Sequence, residues 1–171
     1  MWEWIVIAIV LLFGPVVFRG APYVPSQKRY VRQALTELYP LGKKDVLVDV
    51  GSGDGVVLRI ASQLGARAVG YELNPALVVI SRLLSLRDKK VSVRLVDFWL
   101  TPLPDDTTVV YGFMVTRDMK KMTKKMQREA DRLNRPLAFL TYGNEIIGRS
   151  ADKMHGPYRW YTFHPLQSDK A

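Results

Sequence analysis

Three glycines at alternate positions, followed about twenty residues later by an acid, are the residues of this chain best suited to chemistry. Gly51, Gly53 and Gly55 follow an apolar run, and Glu72 ends a second one. Glycine lets the backbone turn sharply and approach a ligand closely. The amphipathic segment at 56–64 predicts a helix whose free N–H groups favour a negative ligand group. Since an acid at the spacing of Glu72 can accept hydrogen bonds from ribose hydroxyls, the pattern predicts a nucleotide-cofactor site.

Two further carboxylates, Asp49 and Asp54, set this loop apart from the G-x-G-x-x-G loop of dinucleotide-binding folds. Negative side chains repel a pyrophosphate but attract a cationic ammonium or sulfonium. S-adenosylmethionine carries both cationic groups, and the stretch from Asp49 to Gly55 resembles motif I of the class I methyltransferases. A Gly-rich turn of a flavodoxin-like or other doubly wound domain without cofactor is a less favoured alternative, and dinucleotide binding is favoured least.

These residues require a specific set of elements to bring them together. Apolar spacing predicts helices over residues 26–38, 56–64, 75–84 and 116–134, and strands over residues 46–50, 91–96, 108–113, 137–142 and 158–164. A further strand, the second along the chain, is expected to end at Glu72. Residues 143–157 are expected to be irregular, and the connection after the third strand leaves little room for a helix. Strands that alternate with helices predict a mostly parallel α/β sheet covered on both faces. The class I resemblance implies a Rossmann-like sheet with an antiparallel last strand.

The loops after the first three strands are expected to converge, because the carboxyl ends of parallel strands meet at one edge of a sheet. The glycine loop would hold the methionine part of the cofactor and Glu72 the ribose. Asp97 would accept from the adenine amino group, and Phe98 would pack on the ring; the alternative for Asp97 is a turn cap before Trp99. The predicted cofactor-binding residues are Asp49, Gly51, Ser52, Gly53, Asp54, Gly55, Glu72, Leu73, Asn74, Asp97 and Phe98.

An uncharged apolar segment at residues 4–18 precedes this domain. Counted from Trp2 it has about 17 residues, or roughly 25 Å of helix against a hydrocarbon core of about 30 Å. Trp2 and Trp4 would anchor one membrane interface. A signal peptide is disfavoured, because Glu3 lies where a positive charge is expected. We therefore expect one uncleaved transmembrane helix that contacts the membrane through residues 2–18.

Basic residues follow the apolar segment and none precedes it, which predicts that the rest of the chain lies on the cytoplasmic side or in the mitochondrial matrix. The expected organisation is an anchor at residues 1–19, a connector and N-terminal helix at residues 20–42, and a methyltransferase domain at residues 43–171. The 171 residues of the chain fit a single domain of this kind.

Composition excludes several kinds of site. The chain has no cysteine and two histidines, which excludes disulfides, thiolate metal sites, a cysteine nucleophile and polyhistidine metal centres, so no metal is expected. Much of the net charge of +9 lies on the helix at 117–135, as a solvated face or as a surface for anionic lipid or an acidic partner. Nucleic acid is disfavoured as acceptor, because no Asn/Asp-Pro-Pro-Tyr element follows the fourth strand.

A longer series of motifs narrows the resemblance. The apolar N-terminus is followed by Ala21-Pro22-Tyr23-Val24-Pro25-Ser26, then Val48-Asp49-Val50-Gly51-Ser52-Gly53-Asp54-Gly55, then Gly70-Tyr71-Glu72-Leu73-Asn74-Pro75, and then Asp97-Phe98-Trp99. This combination is similar to the small membrane-anchored protein-lysine methyltransferases of mitochondria and their archaeal and bacterial relatives. The resemblance implies S-adenosylmethionine as methyl donor and, as acceptor, a lysine of a membrane or membrane-proximal protein.

The reaction implied by the resemblance is in-line attack of a neutral lysine amine on the sulfonium methyl, with catalysis mainly by positioning. Tyr23 and Asp97 are the candidate catalytic residues and would orient the amine; Tyr111 is a weaker candidate, better interpreted as a core residue. No obligatory base is expected. Two alternatives stay open: a methyltransferase acting on a small or lipid acceptor such as a quinone precursor, and a non-catalytic cofactor-binding module that contacts membranes through the basic helix.

Overall fold

The computed structural model describes residues 2–3 and 26–166. The strands are β1 (Val46–Val50), β2 (Arg67–Glu72), β3 (Val91–Leu95), β4 (Val109–Met114), β5 (Leu137–Gly143), β6 (Lys153–His155) and β7 (Tyr158–Phe163). The helices of residues 26–166 are α1 (Lys28–Gln33), α2 (Val56–Gln63), α3 (Pro75–Leu84) and α4 (Thr116–Leu133), and α1 continues into a π-helical turn over Ala34–Leu38.

The strands form one sheet in the order β3-β2-β1-β4-β5-β7-β6. The first five strands of this order are parallel, β7 runs antiparallel to β5, and β6 runs antiparallel to β7. The central strand β1 is rich in valine because both of its faces are buried. The predicted mostly parallel α/β sheet with an antiparallel last strand is therefore confirmed.

Helices cover both faces of this sheet. On one face, Val31 and Leu35 of the N-terminal helix pack with Leu58 and Ile60 of α2. On the other face, the methionines of α4 pack against β1, β4 and β5. The N-terminal helix thus belongs to the same core as the sheet, and the two layers hold the carboxyl ends of the parallel strands in place.

Two local features differ from the expected elements. A short strand, β6, lies within the stretch expected to be irregular and pairs with β7 across a turn at Gly156. Its three residues are all exposed, so they carry no apolar pattern from which a strand could be predicted. The N-terminal helix ends in a wider turn, in which Tyr39 N donates to Ala34 O at 2.9 Å.

The predicted membrane anchor at residues 1–19 lies, except for Trp2 and Glu3, outside the described residues, as does Tyr23. In the part of the chain that the structure describes, every helix is too short or too polar to cross a bilayer.

Candidate functional site

A pocket opens where the loops after β1, β2 and β3 meet at the carboxyl edge of the sheet. All of the predicted cofactor-binding residues line it except Gly55. Ser26, Tyr111, Phe113 and Asp118 extend the lining toward β4 and the start of α4. The predicted convergence of the three loops is therefore present in the fold.

The glycine loop adopts a conformation that other residues rarely tolerate. Gly51, Gly53 and Gly55 have φ values of 71°, 54° and 79°, all in the left-handed region. Apart from Gly51 and its two neighbours in the chain, no described residue has an atom within 4 Å of the place where a Cβ of Gly51 would stand, so the space beside it is open to a ligand. A Cβ on Gly55 would lie 2.1 Å from the Ser81 Oγ. Gly55 therefore serves the packing of α2 against α3, which explains its position outside the pocket.

Glu72 joins the first two loops of the site. Its Oε2 accepts a hydrogen bond from Gly53 N at 2.8 Å, and its Oε1 accepts from Leu73 N and Asn74 N, both at 2.8 Å. The side chain is buried but lines the pocket. Because each carboxylate oxygen has two lone pairs, these three bonds leave one acceptor position, on Oε2, for a ribose hydroxyl. Spacing along the chain indicated the acid but not its role in holding the glycine loop.

Asp97 and Phe98 occupy the third loop. Asp97 Oδ1 accepts from Trp99 N at 2.8 Å, so the turn cap considered from the sequence is formed. Its Oδ2 accepts no hydrogen bond from the described residues, which leaves an oxygen for a ligand. Phe98 is 4% exposed and packs on Trp99, with ring centroids 5.1 Å apart. Only a small part of its ring surface is therefore available to an adenine.

The electrostatic character of the pocket is opposite to that of the whole chain. Five carboxylates line it, those of Asp49, Asp54, Glu72, Asp97 and Asp118, and no lysine, arginine or histidine of the described residues does so. The chain as a whole has a net charge of +9. Asp118, in the first turn of α4, was missed at the sequence level because it follows the fourth strand rather than the first three. An acidic pocket favours a cationic ligand and disfavours a phosphate.

Asp49 and Asp54 have different surroundings. Asp49 is buried at the end of β1 and accepts no hydrogen bond from the described residues. Burial raises the pKa of Asp49 well above its ordinary value, and the negative charges of Glu72 and Asp54 add to this. Asp54 accepts from Val56 N at 3.2 Å and lies 3.5 Å from the Arg59 guanidinium. Of these two carboxylates, Asp49 is therefore the one whose ionised form a positive ligand would stabilise more.

The end of the pocket toward β4 is aromatic. The Tyr111 and Tyr158 hydroxyl oxygens are 3.5 Å apart, and the Tyr158 ring packs against Tyr142 at a centroid distance of 5.2 Å. Burial raises the pKa of Tyr111 well above its ordinary value. Tyr111 is both a core residue, as the sequence favoured, and part of the pocket wall, and its hydroxyl stays neutral.

A family match and two similar proteins agree on the same kind of methyltransferase. Residues 49–138 match the ANTKMT methyltransferase domain family. The chain is 35% identical over 120 residues to an ATP synthase C-subunit lysine N-methyltransferase of Xenopus laevis, covering 68% of this chain and 52% of that protein. It is 37% identical over 112 residues to an adenine nucleotide translocase lysine N-methyltransferase of Mus musculus, covering 63% of this chain and 48% of that protein. The chain spans about half the length of the curated relatives it matches.

A solved structure with the same fold is that of an RNA methyltransferase from Salinibacter ruber in complex with S-adenosyl-L-homocysteine. It superposes with a TM-score of 0.73 at 25% identity and covers 86% of this chain and 98% of that one. The family match spans more than half of the 171 residues and includes the glycine loop and Glu72. The resemblance drawn from the motifs is thereby confirmed, and the chain belongs to the ANTKMT methyltransferase domain family.

Proposed function

We propose that this chain is an S-adenosylmethionine-dependent protein-lysine N-methyltransferase. The observation that carries the proposal is the acidic pocket, which a glycine loop of the methyltransferase type borders in an otherwise basic protein. S-adenosylmethionine supplies a methyl group on a cationic sulfonium together with a cationic ammonium. A pocket whose charged lining residues, within the described part of the chain, are all carboxylates suits both charges.

The described residues fit the parts of this cofactor. The open space beside Gly51 and the unpartnered carboxylate of Asp49 suit the methionine part. Glu72 keeps acceptor capacity for the ribose, and the free Oδ2 of Asp97 suits the adenine amino group. The buried Ser52 Oγ, which has no hydrogen-bond partner among the described residues, lies in the same lining. The related Salinibacter ruber structure holds S-adenosyl-L-homocysteine, the product that methyl transfer leaves behind.

The aromatic end of the pocket suits a lysine acceptor. A lysine ammonium has an ordinary pKa of about 10.4 and must lose a proton before its nitrogen can bond to the methyl carbon as the carbon–sulfur bond breaks. The buried wall formed by Tyr111 and Met114 lowers that pKa by desolvation. The carboxylate of Asp118 attracts the ammonium form to the entrance. The site thus positions and desolvates the amine, and the neutral Tyr111 hydroxyl is not suited to act as a base at neutral pH.

The proposal specifies a lysine side chain as the methyl acceptor and does not specify the protein that carries it. The two relatives are named for different acceptor proteins, the C subunit of ATP synthase and the adenine nucleotide translocase, and share the lysine. Tyr23 remains a predicted positioning residue. Its position in the sequence, three residues before Ser26, which lines the pocket, supports this prediction.

The proposal includes a membrane location with the domain on the cytoplasmic or matrix side. Its support is the apolar composition of residues 2–18 and the basic residues that follow. On α4, four exposed basic residues share one face: Arg117, Lys120, Lys124 and Arg128. This basic stripe is a surface for anionic lipid or an acidic partner.

Binding of S-adenosylmethionine, measured by calorimetry, tests the cofactor site. We expect Glu72→Ala to weaken binding roughly ten- to hundredfold, because it removes the ribose acceptor and releases Gly53 and Asn74. Glu37→Ala is the matched control, since Glu37 is exposed and lies outside the pocket. Absent binding by the wild type, or equal binding by the two variants, would contradict the proposal.

The acceptor is tested by radiolabelled methyl transfer into a membrane extract. We expect label in protein, on lysine side chains, after separation of the protein, lipid and RNA fractions. Label confined to lipid would support the alternative of a small or lipid acceptor, and label confined to RNA would match the named activity of the Salinibacter ruber relative. Either result would contradict lysine as the acceptor but would leave the assignment of the cofactor unchanged.

A further inference from the structure

The outer face of α3 is apolar and uncovered in the described part of the chain. Val79, Leu83 and Leu84 are 55%, 65% and 55% exposed, and Ile80 is exposed as well. Leu86, in the turn that follows, is 79% exposed. The inner face of the helix is also occupied, because Val78 and Ser81 are buried. We call Val79, Ile80, Leu83, Leu84 and Leu86 the α3 apolar face.

This pattern is unusual for the surface of a soluble domain. A surface helix normally places charged residues opposite its buried stripe, as α4 does in this chain. Helix α3 has one charged residue, Arg82, and its side chain turns back to donate to Val93 O at 2.7 and 3.0 Å. A contiguous apolar surface of this kind marks an interaction site.

The charges around the α3 apolar face indicate what covers it. Arg87, Lys89 and Lys90 follow the helix directly and are exposed. Between Glu72 and Val91 the one acid is Asp88, which accepts from Lys90 N at 3.0 Å. Apolar side chains bordered by basic ones match the boundary of an anionic bilayer, where the apolar groups enter the acyl region and the cations contact lipid phosphates. A protein surface that buried this face would need a comparable acidic rim.

We propose that the α3 apolar face inserts into the interfacial region of an anionic lipid bilayer. The contact is separate from the predicted anchor at residues 2–18 and goes beyond the proposed methyl transfer. It orients the domain, because Leu73 and Leu77, before and in the first turn of α3, line the pocket. The rim of the pocket next to these residues therefore lies close to the membrane surface.

The same orientation of the domain determines which environment the basic stripe of α4 faces. Helices α3 and α4 pack on opposite faces of the sheet, as shown by Val78 in one core layer and Met122 in the other. One flat bilayer cannot contact both helices. With α3 on the lipid, the stripe of Arg117, Lys120, Lys124 and Arg128 faces the aqueous side and is left for an acidic partner.

Site-directed spin labelling tests the contact, and the absence of cysteine from the chain makes single-site labelling direct. The full chain carries a nitroxide on Leu83→Cys or, as the control on the opposite face, on Lys124→Cys. Each protein is bound to vesicles of phosphatidylcholine and phosphatidylglycerol. Collision rates with oxygen, which enters the bilayer, and with a water-soluble nickel complex are then measured.

We expect the oxygen-to-nickel collision ratio to be several-fold higher at Leu83→Cys than at Lys124→Cys. Equal access of nickel to both labels would overturn the proposal, because the α3 apolar face would then lie in water. Shielding of the Leu83→Cys label from both reagents would overturn it too, because protein would cover the face. If both labels lay in the bilayer, the orientation with α3 on the lipid and α4 in water would be excluded.

A second measurement separates this contact from the membrane binding of residues 2–18. A label on Leu86→Cys is compared with and without Val79→Ser and Ile80→Ser, two changes at exposed positions that leave the core intact. We expect the serine changes to reduce the collision ratio at Leu86→Cys toward that of Lys124→Cys, while the protein stays on the vesicles. An unchanged ratio would show that the α3 apolar face does not hold the domain against the lipid.

Discussion

Asp49 is the residue at which stability and ligand binding conflict most directly. Its carboxyl group is buried beside Glu72 and Asp54 without a hydrogen-bond partner among the described residues. Ionisation of such a group is costly in the free protein, and a cationic ligand offsets the cost. The site therefore places a carboxyl group whose ionisation destabilises the free fold where the sulfonium and ammonium would lie.

We predict that Asp49→Asn stabilises the free protein at neutral pH and weakens S-adenosylmethionine binding. Because the folded-state pKa of Asp49 is raised, the folded state binds the proton more tightly than the unfolded state. The wild type therefore loses stability as pH rises through that raised value, whereas the variant does not, and the two converge at acidic pH. Melting curves across pH, with and without ligand, measure both effects. A free variant less stable than the wild type at pH 7 would contradict this prediction.

The glycine loop allows backbone strain to be separated from ligand contact. Gly51 and Gly148 have similar left-handed φ values of 71° and 76°, and at both the Cβ position is free of described atoms within 4 Å other than those of the adjacent residues. Gly148 lies outside the pocket lining. We predict that Gly51→Ala and Gly148→Ala each lower the free energy of unfolding by about 1–2 kcal/mol.

Only Gly51→Ala should weaken cofactor binding, because only its new methyl group enters the pocket. Urea denaturation measures the stability of the two variants and calorimetry their binding. Equal loss of binding in both would mean that the effect of Gly51 is general destabilisation rather than occupation of ligand space.

At the scale of elements, α4 holds the crossover between β3 and β4 in place. Lys125 Nζ donates to Thr101 O at 2.9 Å and pairs with Glu129 at 3.1 Å, and both side chains are buried. Arg132 donates to Leu103 O at 2.7 Å and pairs with Glu129 at 2.9 Å. Part of the charge expected on a solvated face is therefore used inside the protein, to fix a connection that has no helix of its own.

We predict that Lys125→Met lowers the free energy of unfolding by roughly 1–3 kcal/mol. The change removes a cation from buried Glu129 and a donor from Thr101 O, while Arg132 still pairs with the acid. Lys124→Met, one residue earlier and exposed, is the control and should change stability by about 0.5 kcal/mol or less. Urea denaturation gives both values. Similar losses for the two variants would show that Lys125 contributes no more than a surface lysine.

Periodic apolar residues made most elements predictable, because helices and strands that bury one face must repeat with their own period. The features that could not be predicted from the sequence depend on contacts between residues that are distant in the chain. The burial of Lys125 is set by Thr101 in a distant loop, and the role of Gly55 is set by Ser81 on another helix. Asp118 joins the pocket through the parallel pairing of β4 with β1. Spacing along the chain contains none of these relations.

At the scale of the whole molecule, three surfaces of different chemistry lie on different sides of one sheet. The acidic pocket opens at the carboxyl edge, the apolar face of α3 lies on one side and the basic stripe of α4 on the other. A net charge of +9 favours approach to an anionic membrane over a range set by the Debye length, about 8 Å at physiological salt. Among the described residues, the charged side chains that line the pocket are all carboxylates, which gives the pocket a negative potential of its own.

We predict that membrane binding is divided between residues 1–19 and the domain. Both core layers lie within residues 26–166, so a chain without residues 1–19 should fold and bind S-adenosylmethionine as the full chain does. The full chain should resist extraction by high salt and alkaline carbonate, because an apolar span does not depend on charge. The truncated chain should still bind anionic vesicles, but salt should weaken this binding, because it screens the contacts of the basic residues and leaves only the α3 apolar face on the lipid. Vesicle flotation at low and high salt measures this, and salt release of the full chain would contradict the predicted anchor.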